Sequence, residues 1–201
     1  MRFTRESILL CLALTLALAS LSFVADPGTA RTQIKLLTPF GTKGLADGMQ
    51  VSDRVSGKCF AASVASSSRP DAWRCSAGNA IHDPCYQRIL GDEKQLACPL
   101  EGPWSQKVIL LTLTEALPTE PRKEVALEST MPWALELGNG KRCSLFTGAT
   151  APVAGMRINY GCPGGFQVVG DIDHSGRVWH VFFQAENAST LEQVDVAVAW
   201  Y

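Results

Sequence analysis

Between Lys58 and Pro99 the chain crowds Cys59, Cys75, Cys85 and Cys98, and only after a long gap come Cys143 and Cys162. No two of these stand two residues apart, as zinc knuckles and thioredoxin-like sites require, so they read as a covalent framework built in an oxidising compartment. Fifteen pairings are formally open. The gap divides a group of four from a group of two, and three pairings respect it. The pairing expected is Cys59 with Cys75, Cys85 with Cys98 and Cys143 with Cys162, each closing a local loop and each worth about 3 kcal/mol on the chain-entropy account. The last would clamp one hairpin strand to the strand that begins near Met156.

The seventh cysteine, Cys11, lies in a different kind of segment. Arg2 and Arg5 precede an almost unbroken apolar run from Ile8 to Val24, and Gly28-Thr29-Ala30 offers the small residues a signal peptidase accepts. Residues 1–30 therefore read as a signal peptide cleaved near Ala30, with a retained membrane anchor as the rival reading; both export the rest. Leu10 stands where a lipoprotein cysteine needs a small neighbour, so Cys11 reads as apolar filler. The formal net charge is −1 and no run of Lys or Arg occurs. Nucleic acid has no electrostatic footprint here, and a membrane is expected only at the N-terminal segment if it stays uncleaved.

Residues 31–48, with Pro39, Gly41, Gly44 and Gly48, read as a linker, and 49–201 as a single disulfide-braced β domain. Its strands recur at short spacing: Cys59 to Val64, Val108 to Leu113, the hairpin Trp133–Leu137 and Lys141–Phe146 turned by Gly138-Asn139-Gly140, then Met156–Tyr160, Phe166–Gly170, Arg177–Gln184 and Gln193–Tyr201. Tyr86–Leu90 and Gln95–Cys98 form a second hairpin across Gly91–Lys94. Val194, Val196, Val198 and Trp200 are expected on one face of the last strand. Pro70 and Asp71 suit the first turn of a short helix over Asp71–Cys75, and Pro118–Thr130 reads as an exposed loop. The fold class is mainly β, an antiparallel sandwich or barrel with a small disulfide-tied helical insert.

The phrases SGKCF, RPDAWRC, NAIHDPC, PWALELGNGKRC, RINYGC and the terminal VAVAWY resemble those of an uncharacterised family of bacterial secreted or envelope-attached proteins, from Gly48 onward. Phe60 and Tyr86 stand where that family carries Trp and Phe. The resemblance implies an exported bacterial domain and brings no catalytic or binding residues with it.

Chemistry has few candidates. His82 and Asp83, with Asp71 or Arg74 nearby, could form an acid/base pair, although sequence neighbours seldom face each other and Asp83 before Pro84 is explained as a turn former. His174 is a further acid/base candidate, and His180 in its strand reads as a hydrogen-bonded histidine. Asp171, Asp173 and Ser175 match the opening of a calcium loop, but its twelfth position is Phe182 instead of a bidentate Glu, and Arg177 adds positive charge. Trp73, Trp104, Trp133, Trp179 and Trp200, with Tyr86, Tyr160 and Tyr201, would make a glycan or peptide platform if several shared an exposed face; in an all-β domain they more often fill the core. No cofactor motif occurs. The expectation is an exported non-enzymatic binding or structural domain for a protein, glycan or small-molecule ligand. An extracytoplasmic hydrolase using a His/Asp pair is the alternative.

Overall fold

The computed structural model describes residues 30–89, 94–119 and 125–201. Residues 1–29 of the expected signal peptide, residues 90–93 at the expected turn of the second hairpin and residues 120–124 of the expected loop lie outside that range. No helix among the described residues is long and apolar enough to cross a membrane.

The chain is mainly β and closes on itself twice. β1 (Gln33–Lys35), β2 (Phe40–Gly41) and β3 (Gly44–Leu45) lead into the first barrel, formed by β4 (Gln50–Ala62), β5 (Ala72–Ala77), β6 (Ala80–Gln87), β7 (Gln95–Pro99) and β8 (Lys107–Leu113). Neighbouring strands are antiparallel except where β4 and β8 pair in parallel and close the ring. A run such as Val108-Ile109-Leu110-Leu111 is apolar on both faces because both faces are covered, and all four residues are buried.

The second barrel follows the loop after β8. Its strands are β9 (Ala134–Leu137), β10 (Arg142–Leu145), β12 (Met156–Cys162), β13 (Phe166–Asp173), β14 (Trp179–Gln184) and β15 (Glu192–Trp200), and β15 returns to pair with β9; the short β11 (Pro152–Val153) pairs off the path with β12. β1, from the stretch read as a linker, lies parallel to β15. The Thr32 hydroxyl, buried here, donates to the Val196 carbonyl at 2.6 Å and accepts from the Trp179 amide at 2.8 Å. Between the barrels Leu37, Ala65, Ala72, Tyr86 and Trp133 form a third small core, with the Tyr86 and Trp133 rings edge to face at 6.3 Å. The Tyr86 hydroxyl is pushed up to about 12, chiefly by burial.

Three local readings change. Asp71–Cys75 is not a helix: Ala72–Ala77 is strand β5, whose Cys75 stands directly opposite Cys59. A five-residue segment gains too few intrahelical bonds to offset nucleation, whereas strand pairing and the cystine supply long-range partners. Asp83-Pro84 does not turn the chain outward. Both lie inside β6, where the pairing shifts between Trp73↔Cys85 and Cys75↔His82, so the proline, lacking an N–H, falls in the irregularity. In β15 a register shift between Val196 and Val198 exchanges the faces. Val196, Ala199 and Tyr201 are buried, while Val198 and Trp200 leave the stripe that Val194 and Val196 began.

Candidate functional site

The three disulfides join Cys59 to Cys75, Cys85 to Cys98 and Cys143 to Cys162, closing loops with sequence separations of 16, 13 and 19 residues. All three cross between neighbouring strands, and such a set is consistent with an extracellular or otherwise oxidising environment. Two of them also frame a concavity.

A cleft of about 850 Å³ opens where the barrels meet. From the first barrel its wall takes Asp83 on β6, Pro99 at the end of β7, and Glu101, Gly102 and Trp104 from the loop that follows. From the second it takes Arg142, Ser144 and Phe146 along and beyond β10, and Gly161 and Pro163 around the end of β12. Several of these residues are immediate neighbours of half-cystines. Pro99 follows Cys98, Arg142 and Ser144 flank Cys143, and Gly161 and Pro163 flank Cys162. The bridges thus fix the backbone that carries the lining side chains, so the cavity is formed before any ligand arrives.

Two glycines set its aromatic surface. A Cβ at Gly102 would stand 2.6 Å from the Trp104 ring, and one at Gly161 would stand 2.3 Å from the tip of the Phe146 ring. Both rings occupy space that any other residue would fill. Phe146 is nevertheless 43% exposed, an unusual position for a large apolar side chain lining a concavity. Glu101 holds a left-handed φ of 60°, a conformation rare outside glycine, and its side chain is exposed at the cleft. Arg142 reaches across the boundary. Its guanidinium lies 5.5 Å from the Trp104 ring centre and donates from Nε to Glu136 at 3.3 Å, while Glu136 also accepts from the Trp200 indole at 2.9 Å.

Asp83, the one acid/base candidate on this wall, is already engaged. Its carboxylate accepts from the Ser63 hydroxyl and from the amides of Val64 at 3.2 Å and Ala65 at 3.4 Å, with Arg74 Nε at 3.9 Å. Burial pushes its pKa above the ordinary carboxylate value, and these donors only partly offset that. His82 is not among its partners, and adjacent strand residues point to opposite faces. Asp71 is likewise occupied: Arg69 grips both its oxygens at 2.8 and 2.7 Å and also donates to the Leu37 carbonyl at 2.9 Å. Burial works to lower the Arg69 pKa, but Asp71 outweighs it and the net shift is upward. A smaller cavity of about 440 Å³ lies beside this pair, and its carboxylate is consumed by the arginine.

The remaining candidates lie elsewhere. Asp171, Asp173, His174 and Ser175 sit at the β13–β14 hairpin, where the Ser175 hydroxyl first, and then the Ser175 amide that donates to Asp173 at 2.9 Å, lower the Asp173 pKa. Among the described residues no group of three or more His, Cys, Asp or Glu is placed to hold a metal. His174 packs edge-on against Trp179 at 4.3 Å. The histidine–carboxylate pair within ion-pair distance among the described residues is His180 with Asp195, 3.3 Å apart across β14 and β15 and outside the cleft. Of the eight Trp and Tyr residues weighed as a platform, Trp73, Trp133, Trp179 and all three tyrosines are buried; Trp104 and Trp200 are partly exposed. Sequence reasoning missed Glu101, Arg142, Phe146 and Gly161. Their proximity to cysteines was visible, but the meeting of two barrels that makes them one surface was not. No protein-family model matches this chain, nor does any curated protein or solved structure.

Proposed function

We propose that this is an exported, disulfide-braced binding module of the bacterial cell envelope or extracellular space, and that its ligand occupies the cleft between the two barrels. The observation that carries this reading is the cleft wall itself: an exposed Phe146 and a partly exposed Trp104, each seated against a glycine, with the charged side chains of Arg142 and Glu101 beside them. A preformed cavity with aromatic surface and few charged groups suits recognition. Binding is favoured over hydrolysis because the wall's buried carboxylate, Asp83, is committed to the Ser63–Ala65 segment and no histidine lines the cleft. Export is supported by the charged, apolar leader and by the pairing of Cys59 with Cys75, Cys85 with Cys98 and Cys143 with Cys162.

The test is a fragment titration followed by amide and indole NMR on the unreduced protein, using mono- and oligosaccharides, short peptides and aromatic acids. Shifts concentrated on Trp104, Phe146 and Gly161, and lost in Trp104→Ala/Phe146→Ala, are expected. Shifts confined to the Arg69–Asp71 cavity, or spread evenly over the surface, would remove the cleft from consideration.

A further inference from the structure

Phe146 borders more than the cleft. The residue also lines a recess of about 320 Å³, shared by Val64 and Ser67 of the first barrel and by Thr130, Thr147 and Arg157 of the second. Among the described residues Arg157 is the only charged one lining that recess, and the other polar residues lining it are Ser67, Ser129, Thr130 and Thr147.

The guanidinium there is held in an unusual way. Arg69, Arg74 and Arg142 each have a carboxylate oxygen within 4 Å, at 2.7, 3.9 and 3.3 Å. Arg157 instead donates to neutral acceptors: the Asn159 side-chain oxygen at 2.9 Å and the carbonyls of Phe146 at 3.1 Å and Gly148 at 2.6 Å. Asn159 is 4% exposed and is itself anchored by donating to the Gly170 carbonyl at 2.7 Å. The charge is therefore oriented by a buried amide and a loop, and those contacts leave it unneutralised. Three of its five N–H donors are used, so two are left for an incoming acceptor. A fixed guanidinium among hydroxyls and without a carboxylate is complementary to an anion.

The cleft and this recess share Leu145 and Phe146 as lining, so one ligand can span both and place different groups in each. Among the described residues both barrels close their strand rings, leaving no long free edge at the cleft on which a peptide could add as a strand. Recognition must run through side chains, and aromatic surface beside hydroxyls and charged forks suits the apolar faces and hydroxyl rims of sugar rings. Resting on the cleft reading above, we infer that the ligand is an acidic saccharide, with sugar rings against Trp104 and Phe146 and its carboxylate in the recess at Arg157.

Trigalacturonate and its uncharged methyl ester separate the two parts of the inference, with triglutamate as the peptide control. Wild type should bind the acid about tenfold more tightly than the ester, the usual worth of one charge-assisted contact. Arg157→Gln should erase that preference and leave ester affinity unchanged, and Phe146→Ala should weaken both sugars. Because Arg157 also ties the Phe146–Gly148 carbonyls, Ser67→Ala serves as a second variant that leaves the loop alone; it should weaken the acid and spare the ester. Equal affinity for acid and ester, or a preference that survives Arg157→Gln, overturns the acidic subsite while the cleft reading stands. Tighter binding of triglutamate overturns the saccharide in favour of an acidic peptide. Failure of all three probes to bind overturns the inference, and the fragment titration then judges the cleft separately.

Discussion

The two barrels solve the same problem with different materials. Among the described residues, the apolar cluster inside the first has eight buried members, of which Cys59, Cys75, Cys85 and Cys98 make up half, joined by Trp73, Leu96, Ile109 and Leu111. The second encloses thirteen, including Leu135, Tyr160, Val168, Val181, Phe183 and Val196, and only Cys143 and Cys162 are half-cystines. A barrel of five strands has little interior, and apolar burial at about 25 cal/mol per Å² leaves it marginal, as small domains generally are. Covalent closure then replaces missing core. In the second barrel the cystine is added to a larger apolar core, and it stands where it steadies the cleft wall.

The largest expected effect tests that contrast directly. Replacing Cys59, Cys75, Cys85 and Cys98 together by alanine removes two bridges worth about 3 kcal/mol each, a loss comparable to the whole stability of a small domain. Amide spectra should then show the residues of β4–β8 collapsed while those of β9–β15 keep their native shifts. Cys143→Ala/Cys162→Ala should lower stability by about 3 kcal/mol in denaturant titration and leave its barrel folded. If the single-bridge variant unfolds its barrel as readily as the double, the contrast fails.

Next in size is the seam. Trp133 is 5% exposed and packs on Tyr86 in the core between the barrels. Trp133→Ala should cost about 3–5 kcal/mol. It should also resolve one calorimetric transition into two, the first barrel melting at the lower temperature. A single transition in this variant would mean that the barrels are coupled by something other than this contact.

A smaller effect comes from Asp83, which anchors the Ser63–Ala65 segment next to the seam. Its pKa is raised in the folded protein, so folding favours its protonated form. That contribution is complete below the unfolded carboxylate value of about 4 and is lost as pH rises through the folded value. Wild-type stability should therefore decline over that window relative to Asp83→Asn, which has no proton to release. Denaturant midpoints measured for both proteins across the acid range would show this, and parallel curves would contradict it.

These elements differ in how far the sequence disclosed them. The all-β character and the disulfide partners were legible, because β-branched runs, turn residues and one long gap between cysteines are local signals. The β5 strand was not. Pro70 and Asp71 carry a helix-start signal, and only pairing with β4 and β6 overrides it. The last strand was half legible, since alternation predicted Val194 and Val196 inward, but a register shift that leaves no mark in composition turned Val198 and Trp200 away. The candidate site was the least legible part. Its residues come from β6, from the loop after β7 and from the ends of β10 and β12, and closure of two separate rings is what brings them together.

The smallest expected change in stability is the most informative about the cleft. Gly161 needs no positive φ, so alanine fits its backbone without strain, unlike Gly102 with its φ of +94°. The three heavy atoms nearest its absent Cβ all belong to the Phe146 ring, which stands at the end of a rotatable side chain and is 43% exposed. Gly161→Ala should therefore leave the unfolding free energy from denaturant titration within about 0.5 kcal/mol of wild type, as a substitution that meets a yielding surface group does. Phe146 must still move, because a contact of 2.3 Å lies far inside van der Waals distance. The ring shifts toward the cleft or toward the Arg157 recess, and either displacement changes both cavities, since Phe146 is their common wall. Aromatic NMR signals of Phe146 should move while the amides of β13–β15 do not. A variant with unchanged Phe146 signals would show that the glycine does not seat the ring, and one that unfolds would show that β12 depends on this position for more than the cleft.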